Sequence, residues 1–316
     1  MAADQSLYGN RPQITVDGSA LPADVVPALA RVIVHAHVHL PSMFALHFQD
    51  THRSVLSRAR IKIGSKVTVA ASANATGALT SLLVGEVTAL EQESDTTGTW
   101  TVVRGYDPLH RLCRGRQTRT FSGATDADIV RQIASDSQLD LGDVDVSGPV
   151  YEHVSQPNLT DWEFLRGRAH ETGHELAVSA GKLYWRVPAS SGEAPPGGDD
   201  LAAPAQQYQL LLGGNLIGFR PRVTAAEQVS EVQVRGWDPA SKQAVLGSAA
   251  AATSSTSVGV TPADLASTFG AHPYVVVDRP VTSQAEADTV AGAVAEQIAG
   301  GHAEAEGTAL GDPRLM

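Results

Sequence analysis

The chain has 316 residues, enough for two or three domains with hydrophobic cores of their own. Its net charge of −11 disfavours phosphate backbones, and no apolar run approaches the ~20 residues of a membrane helix, so neither nucleic-acid binding nor membrane insertion is expected. Cys113 is the single cysteine, which rules out an internal disulfide and a thiolate zinc site.

The N-terminus lacks a basic patch followed by an apolar core, so no secretory signal is expected, and assembly in a reducing cytoplasm or export without a cleaved signal follows. "QITVDG" at 13–18 predicts a short strand ending in an Asp-Gly turn, and Arg31–Leu40 alternates as a strand that Pro41 stops. "MFALHFQD" is its expected partner. "IKIGSKVTVAAS", "SLLVGEVTAL" and "TWTVVRG" are further β-type runs, the last two joined by a hairpin loop, "ESDTTG".

The middle of the chain turns helical. Thr125 with Asp128, and Thr160 with Glu163, are capping patterns that open two helices, the first running to about Ser137 and the second closing at Gly173. "HELAVSAGKLYWRV" predicts a hairpin turned at 179–181, completing a compact α/β unit over about 118–188. The Pro/Gly-rich "SSGEAPPGGDD" closes it off. A second β region starts near Gln206, "GSAAAATSSTSVG" reads as a mobile loop, and Ser283 with Glu286 caps a helix that stops at Gly300-Gly301. "HAEAEGTALGDPRLM" is a final strand and turn that ends in mid-pattern, so a trimmed C-terminus is expected.

One hexapeptide occurs twice. "VRGYDP" (Val103, Arg104, Gly105, Tyr106, Asp107, Pro108) returns 131 residues later as "VRGWDP" (Val234, Arg235, Gly236, Trp237, Asp238, Pro239). "VTALEQ" at Val87–Gln92 is likewise answered by "VTAAEQ" at Val223–Gln228. Two matches in one order point to the same small domain written twice, too far apart for a solenoid. In the second copy the hairpin loop is missing while the flanking strands are expected to stay. The hexapeptide reads as a structural corner: glycine for backbone freedom at a strand end, Asp-Pro for a turn, the aromatic as an anchor, the arginines paired across strands.

Candidate chemistry is sparse. "HETGH" spells the H-E-x-x-H pattern of zinc peptidases with His170, Glu171 and His174, in which both histidines must share one helical turn. Gly173 falls where the helix should stop, so the segment is expected to be a helix C-terminus and to bind no metal. His35, His37 and His39 alternate on one predicted strand, but neighbours roughly 6.5–7 Å apart diverge, which favours a polar strand face over a metal site. No phosphate-cradling glycine loop and no nucleophile elbow occurs. No cofactor and no catalysis are expected.

The runs "VVRGYDPLHRLCRGRQTRTFSGATDADIVRQIA" and "YEHVSQPNLTDWEFLRGRAHETGHELAVSAGKLYWR", with the ending "AEAEGTALGDPRL", strongly resemble the phage late control protein D and VgrG-like baseplate hub family. The resemblance spans nearly the whole chain. It implies a mainly β protein with an α/β insertion: a tube-type β-barrel at 1–117, the insertion at 118–200, and a second barrel at 201–316, with the family's OB-fold and spike not present in this stretch. It further implies a homotrimer whose six barrels form a ring in a phage tail or contractile injection particle. Inner tube protein, baseplate proteins and a spike tip protein or effectors would be its partners. The alternatives are a zinc-dependent hydrolase built on HETGH and a monomeric glycan-binding barrel, the latter at odds with an aromatic content of 5%.

Overall fold

A computed structural model describes residues 12–38, 40–72, 79–96, 98–179, 181–188, 209–256, 258–312 and 315. His39, Ala180, the loop 189–200 and the expected strand start near Gln206 lie outside these residues. The protein is mainly β, as expected, and its buried side chains fall into three hydrophobic clusters.

The first cluster lies under a seven-stranded antiparallel sheet. Its strands are β1 (Gln13–Val16), β2 (Ser19–Ala20), β3 (Leu29–His35), β4 (Met43–Gln49), β5 (Lys66–Ala71), β6 (Thr80–Asp95) and β7 (Gly98–Tyr106), ordered β2-β1-β5-β6-β7-β4-β3. A short helix α1 (Val55–Ala59) follows β4. Strand alternation sends Phe44, Leu46 and Phe48 from β4 to the same face, where they meet Val67, Val69 and Val103. The expected hairpin is present, with Asp95 opposite Gly98. The sheet stays open: β2 and β3 are its edges, and hydrogen bonds close no barrel among the described residues.

The second cluster belongs to the α/β unit. It comprises β8 (Gln117–Ala124), α2 (Asp126–Asp136), β9 (Asp140–Val144), β10 (Tyr151–Leu159), α3 (Asp161–Thr172), β11 (Glu175–Ser179) and β12 (Lys182–Arg186). Both capping boxes form, Thr125 with Asp128 and Thr160 with Glu163, and Gly173 ends α3 in the left-handed conformation at φ 72°. Ile129 and Ile133 of α2 and Leu165 of α3 pack on Phe121, Leu183 and Trp185. Leu109 and Leu112, from the turn that follows β7, are buried in this same cluster.

The third unit holds β13 (Leu216–Val223), β14 (Glu231–Asp238), β15 (Gln243–Ala250), α4 (Pro262–Thr268), β16 (Tyr274–Val276), α5 (Gln284–Gly300) and β17 (Ala303–Ala309). Here the expected repeat of the β6–β7 hairpin fails. Strand β13 pairs with β17 as a separate two-stranded ribbon, whereas β14 lies between β15 and β16. Residues 224–230 turn the chain between two sheets, with the Thr224 amide bonded to the His302 carbonyl and the Gln228 side-chain amide donating to the Ile298 carbonyl. The predicted loop from Gly247 is also corrected: Gly247–Ala250 finish β15. A Cβ at Gly247 would overlap the Ala287 backbone, so this glycine lets α5 lie flat on the sheet.

The insertion does not stand apart from this unit. Helix α3 packs against α5, and a Cβ at Gly173 would sit 3.6 Å from the Ala293 methyl.

Candidate functional site

The repeated hexapeptide performs two different turns. Gly105 and Gly236 are not in the left-handed region, which corrects the expected need for backbone freedom. Each is required by close approach: a Cβ at Gly105 would overlap the Glu86 carbonyl and the Phe44 ring, and one at Gly236 the Val281 carbonyl. Asp107 is 4% exposed, and its carboxylate accepts the amides of Ser42 at 2.7 Å and Leu109 at 3.0 Å. It thereby caps the helical turn Pro108–Arg111 that leads out of the sheet. Burial pushes the Asp107 carboxyl up, against the pull of those amides.

Asp238 instead holds the tight connection from β14 to β15. It accepts from the Ser241 hydroxyl at 2.6 Å and the Ala240 amide at 2.8 Å, which hold its carboxyl below the usual range, and Pro239 starts the turn. Tyr106 and Trp237 are 40% and 56% exposed, so neither is the buried anchor the sequence suggested. Arg104 pairs across strands with Glu91 at 2.7 Å. Arg235 does not: its guanidinium reaches Gln233 on its own strand at 3.5 Å.

HETGH is split by the Gly173 cap, as its sequence implies. His170 lies in the last turn of α3 and accepts the Gln297 amide at 3.1 Å. Glu171 binds Arg168 at 2.6 Å and Arg279 at 3.2 Å; burial pushes its carboxyl up, with the two guanidinium groups pulling the other way. His174, its side chain 7% exposed, is hydrogen-bonded to Asp145 through Nε2 at 3.2 Å and to Thr172 through Nδ1 at 2.9 Å, and stacks on Trp185 at 5.1 Å. A glutamate held by two guanidinium groups is poorly placed as a general base for a metal-bound water. Among the described residues no three metal-ligating side chains form a cluster.

Sequence reasoning missed the network behind Glu171. Arg168 grips Asp126 with two bonds, at 2.8 and 3.1 Å, and lies over the Tyr151 ring at 4.5 Å. Burial works against the Arg168 charge, but Asp126 and Glu171 raise its pKa overall. Burial and the Asp126 charge push the Tyr151 hydroxyl up to about 12. Asp126 carries only the signal of a helix's first turn, and its partner lies 42 residues away. The predicted histidine face is shorter than expected: β3 ends at His35, and His37 lies beyond it with its amide on the Ser42 hydroxyl. The two rings stack 6.4 Å apart.

An exposed apolar surface lies on the β13–β17 ribbon. Phe219 lies opposite Gly307, Pro221 opposite Ala305 and Val223 opposite Ala303 on one face. The other face carries Arg220 opposite Glu306 and Arg222 opposite Glu304. Phe219 is 56% exposed, and an open groove of about 600 Å³ runs along the apolar face between Leu210, Leu212 and Leu315. A two-stranded ribbon is marginal by itself.

This architecture is found in phage tail proteins. The chain is similar to the 43 kDa tail protein of prophage MuSo2 from Shewanella oneidensis, with 16% identity and a TM-score of 0.64 over 96% of this chain and 83% of that one. It is also similar to a tail protein from Neisseria meningitidis MC58, with 14% identity and a TM-score of 0.58 over 90% and 75%. No curated protein matches the sequence. The fold is thus that of a phage tail protein, in keeping with the hub-like resemblance of the sequence. The chain belongs to the family described as Alg8 N-terminal domain, whose sequence profile matches residues 12–309.

Proposed function

We propose that this chain is a structural subunit of the baseplate of a phage tail or related contractile injection machine, a hub that joins the inner tube to a spike. The observation that carries the reading is the fold shared with the MuSo2 tail protein over 96% of the chain. In this reading three copies contribute two wall segments each, six in all, matching a hexameric tube to a three-fold spike; the sequence repeat supports this although its two copies pair and turn differently. We divide the chain as first wall unit, insertion and second wall unit, and place the first boundary at the Asp107–Pro108 corner, since Leu109 and Leu112 join the insertion's core.

In this reading the chain performs no catalysis and assembles in the cytoplasm into the particle. Its neighbours there are the inner tube protein, other baseplate proteins and a spike tip protein or effector. Cryo-electron microscopy of particles from the producing cell tests it. Density for three copies between tube and spike is expected; particles that lack the chain, or carry one copy per wall position, would overturn it.

A further inference from the structure

We propose that the Asp107–Pro108 corner is a hinge on which the first unit turns against a single body made of the insertion and the third unit, with Glu86 as its clasp. The two joints of the chain are built differently. The insertion and the third unit share the α3–α5 helix pair, fastened by Glu171 on Arg279 and His170 on Gln297. The first unit meets the rest chiefly where β6 packs on the turn Pro108–Arg111, and a Cβ at Gly181 would lie 3.9 Å from Val84. Among the described residues its hydrophobic cluster shares no side chain with that of the insertion. A small, polar joint leaves two bodies free to move, whereas a packed helix pair does not.

The corner has the parts of a hinge. Asp107 belongs to the first sheet: its amide and its carboxylate both bind Ser42, at 2.8 and 2.7 Å. From Leu109 onward the chain belongs to the insertion. Leu109 and Leu112 are buried in that core, and the Leu112 carbonyl accepts the Trp162 amide of α3 at 3.0 Å. The crossing is confined to the bonds around Pro108, whose ring fixes one torsion, so the swing has few axes. The Asp107 carboxylate also accepts the Leu109 amide at 3.0 Å, which limits its range. Across the joint, Glu86 on β6 binds Arg111 and, at 2.9 Å, His110 Nε2. Arg111 reaches on to the Gln138 carbonyl at 2.8 Å, so one side chain ties both bodies. All three groups are partly open to water, where such pairs are weak enough to release.

Distances between spin labels test this in the full chain, with Cys113→Ser removing the native thiol. One label pair spans the hinge, at Lys62→Cys and Thr289→Cys. A control pair lies within the second body, at Gln132→Cys and Thr289→Cys, and all three positions are exposed. The spanning distribution is expected to be about twofold wider than the control. Glu86→Ala should widen it further and Glu86→Gln in part, with the control pair unchanged in both. Equal, narrow distributions for the two pairs would overturn the hinge. So would a spanning width that both Glu86 variants leave as it is, or widening of both pairs together, which would dissolve the second body. Should Glu86→Ala not fold, the wild-type comparison and Glu86→Gln still decide. A hinged chain absent from particles sinks only the hub reading, and a rigid chain found at the baseplate sinks only the hinge.

Discussion

Glu171 and Arg279 meet at 3.2 Å, tying the C-terminal turn of α3 to the segment that leads into α5. With the Gln297–His170 bond and the close approach of Gly173 to Ala293, the contact makes the insertion and the third unit share a helix pair. The sequence suggests a compact unit closed off by a Pro/Gly-rich loop; this junction ties it to the third unit. The two units should unfold in one calorimetric transition, and a double-mutant cycle of Glu171→Gln with Arg279→Ala should return a coupling of about 1 kcal/mol. Two separate transitions, or zero coupling, would show the helix pair to be incidental.

Two glutamates should leave opposite marks on stability against pH. Glu86 is partly buried, which raises its pKa, but Arg111 and His110 bind it and hold it below the ordinary value of 4.5. Its contribution is complete above 4.5 and disappears as pH falls through the lower folded value. Glu171 is raised above 4.5, so its contribution is complete below 4.5 and is lost as pH rises through the folded value. In urea titrations across pH, Glu86→Gln should flatten the acid limb, and Glu171→Gln should remove part of the decline just above 4.5. Identical pH profiles for the two variants would contradict these assignments.

Local signals carried most of the element order. The capping boxes at Thr125 and Thr160, the Gly173 stop and the hairpin before Gly98 depend on residues within a few positions of each other. Helix α4 carries the same kind of local signal, Thr261 and Asp264 around Pro262. Pairing partners were not legible: β13 finds β17 across the whole third unit, through contacts that a strand pattern does not encode. The same limit hid the Arg168–Asp126 grip and the reason for Gly105, which is a neighbour's carbonyl and not its own backbone angle.

The repeated glycines give a direct test of that reason. Gly105→Ala and Gly236→Ala each press a methyl onto a main-chain carbonyl that cannot rotate away, and each should cost about 3 kcal/mol in chemical denaturation. Gly115→Ala, at φ 71° with open space around it, should cost about 1 kcal/mol through backbone strain alone. Equal losses at all three positions would refute close approach as the cause.

The two aspartates of the repeat should separate just as clearly. Asp107→Ala leaves the buried Ser42 and Leu109 amides without their acceptor and uncaps a turn, a loss of about 2–3 kcal/mol. Asp238→Ala opens a solvent-facing turn and should move the unfolding midpoint far less. A larger effect at Asp238 would mean that the second copy, not the first, carries the structural corner.

HETGH should hold no stoichiometric zinc. Tight binding needs two imidazoles on one helical turn with free lone pairs. Here Gly173 reverses the backbone between them, Gln297 engages His170, and His174 is committed to Asp145 and Thr172 and stacked on Trp185. Elemental analysis of the chain after dialysis against added zinc should therefore find well under one equivalent, unchanged by His170→Ala. His174→Ala should instead lower thermal stability, because it leaves a gap beside Trp185 and removes a partner of Asp145. One tightly held zinc per chain, lost together with His170, would require the helix to continue through Gly173 and would reopen the hydrolase reading.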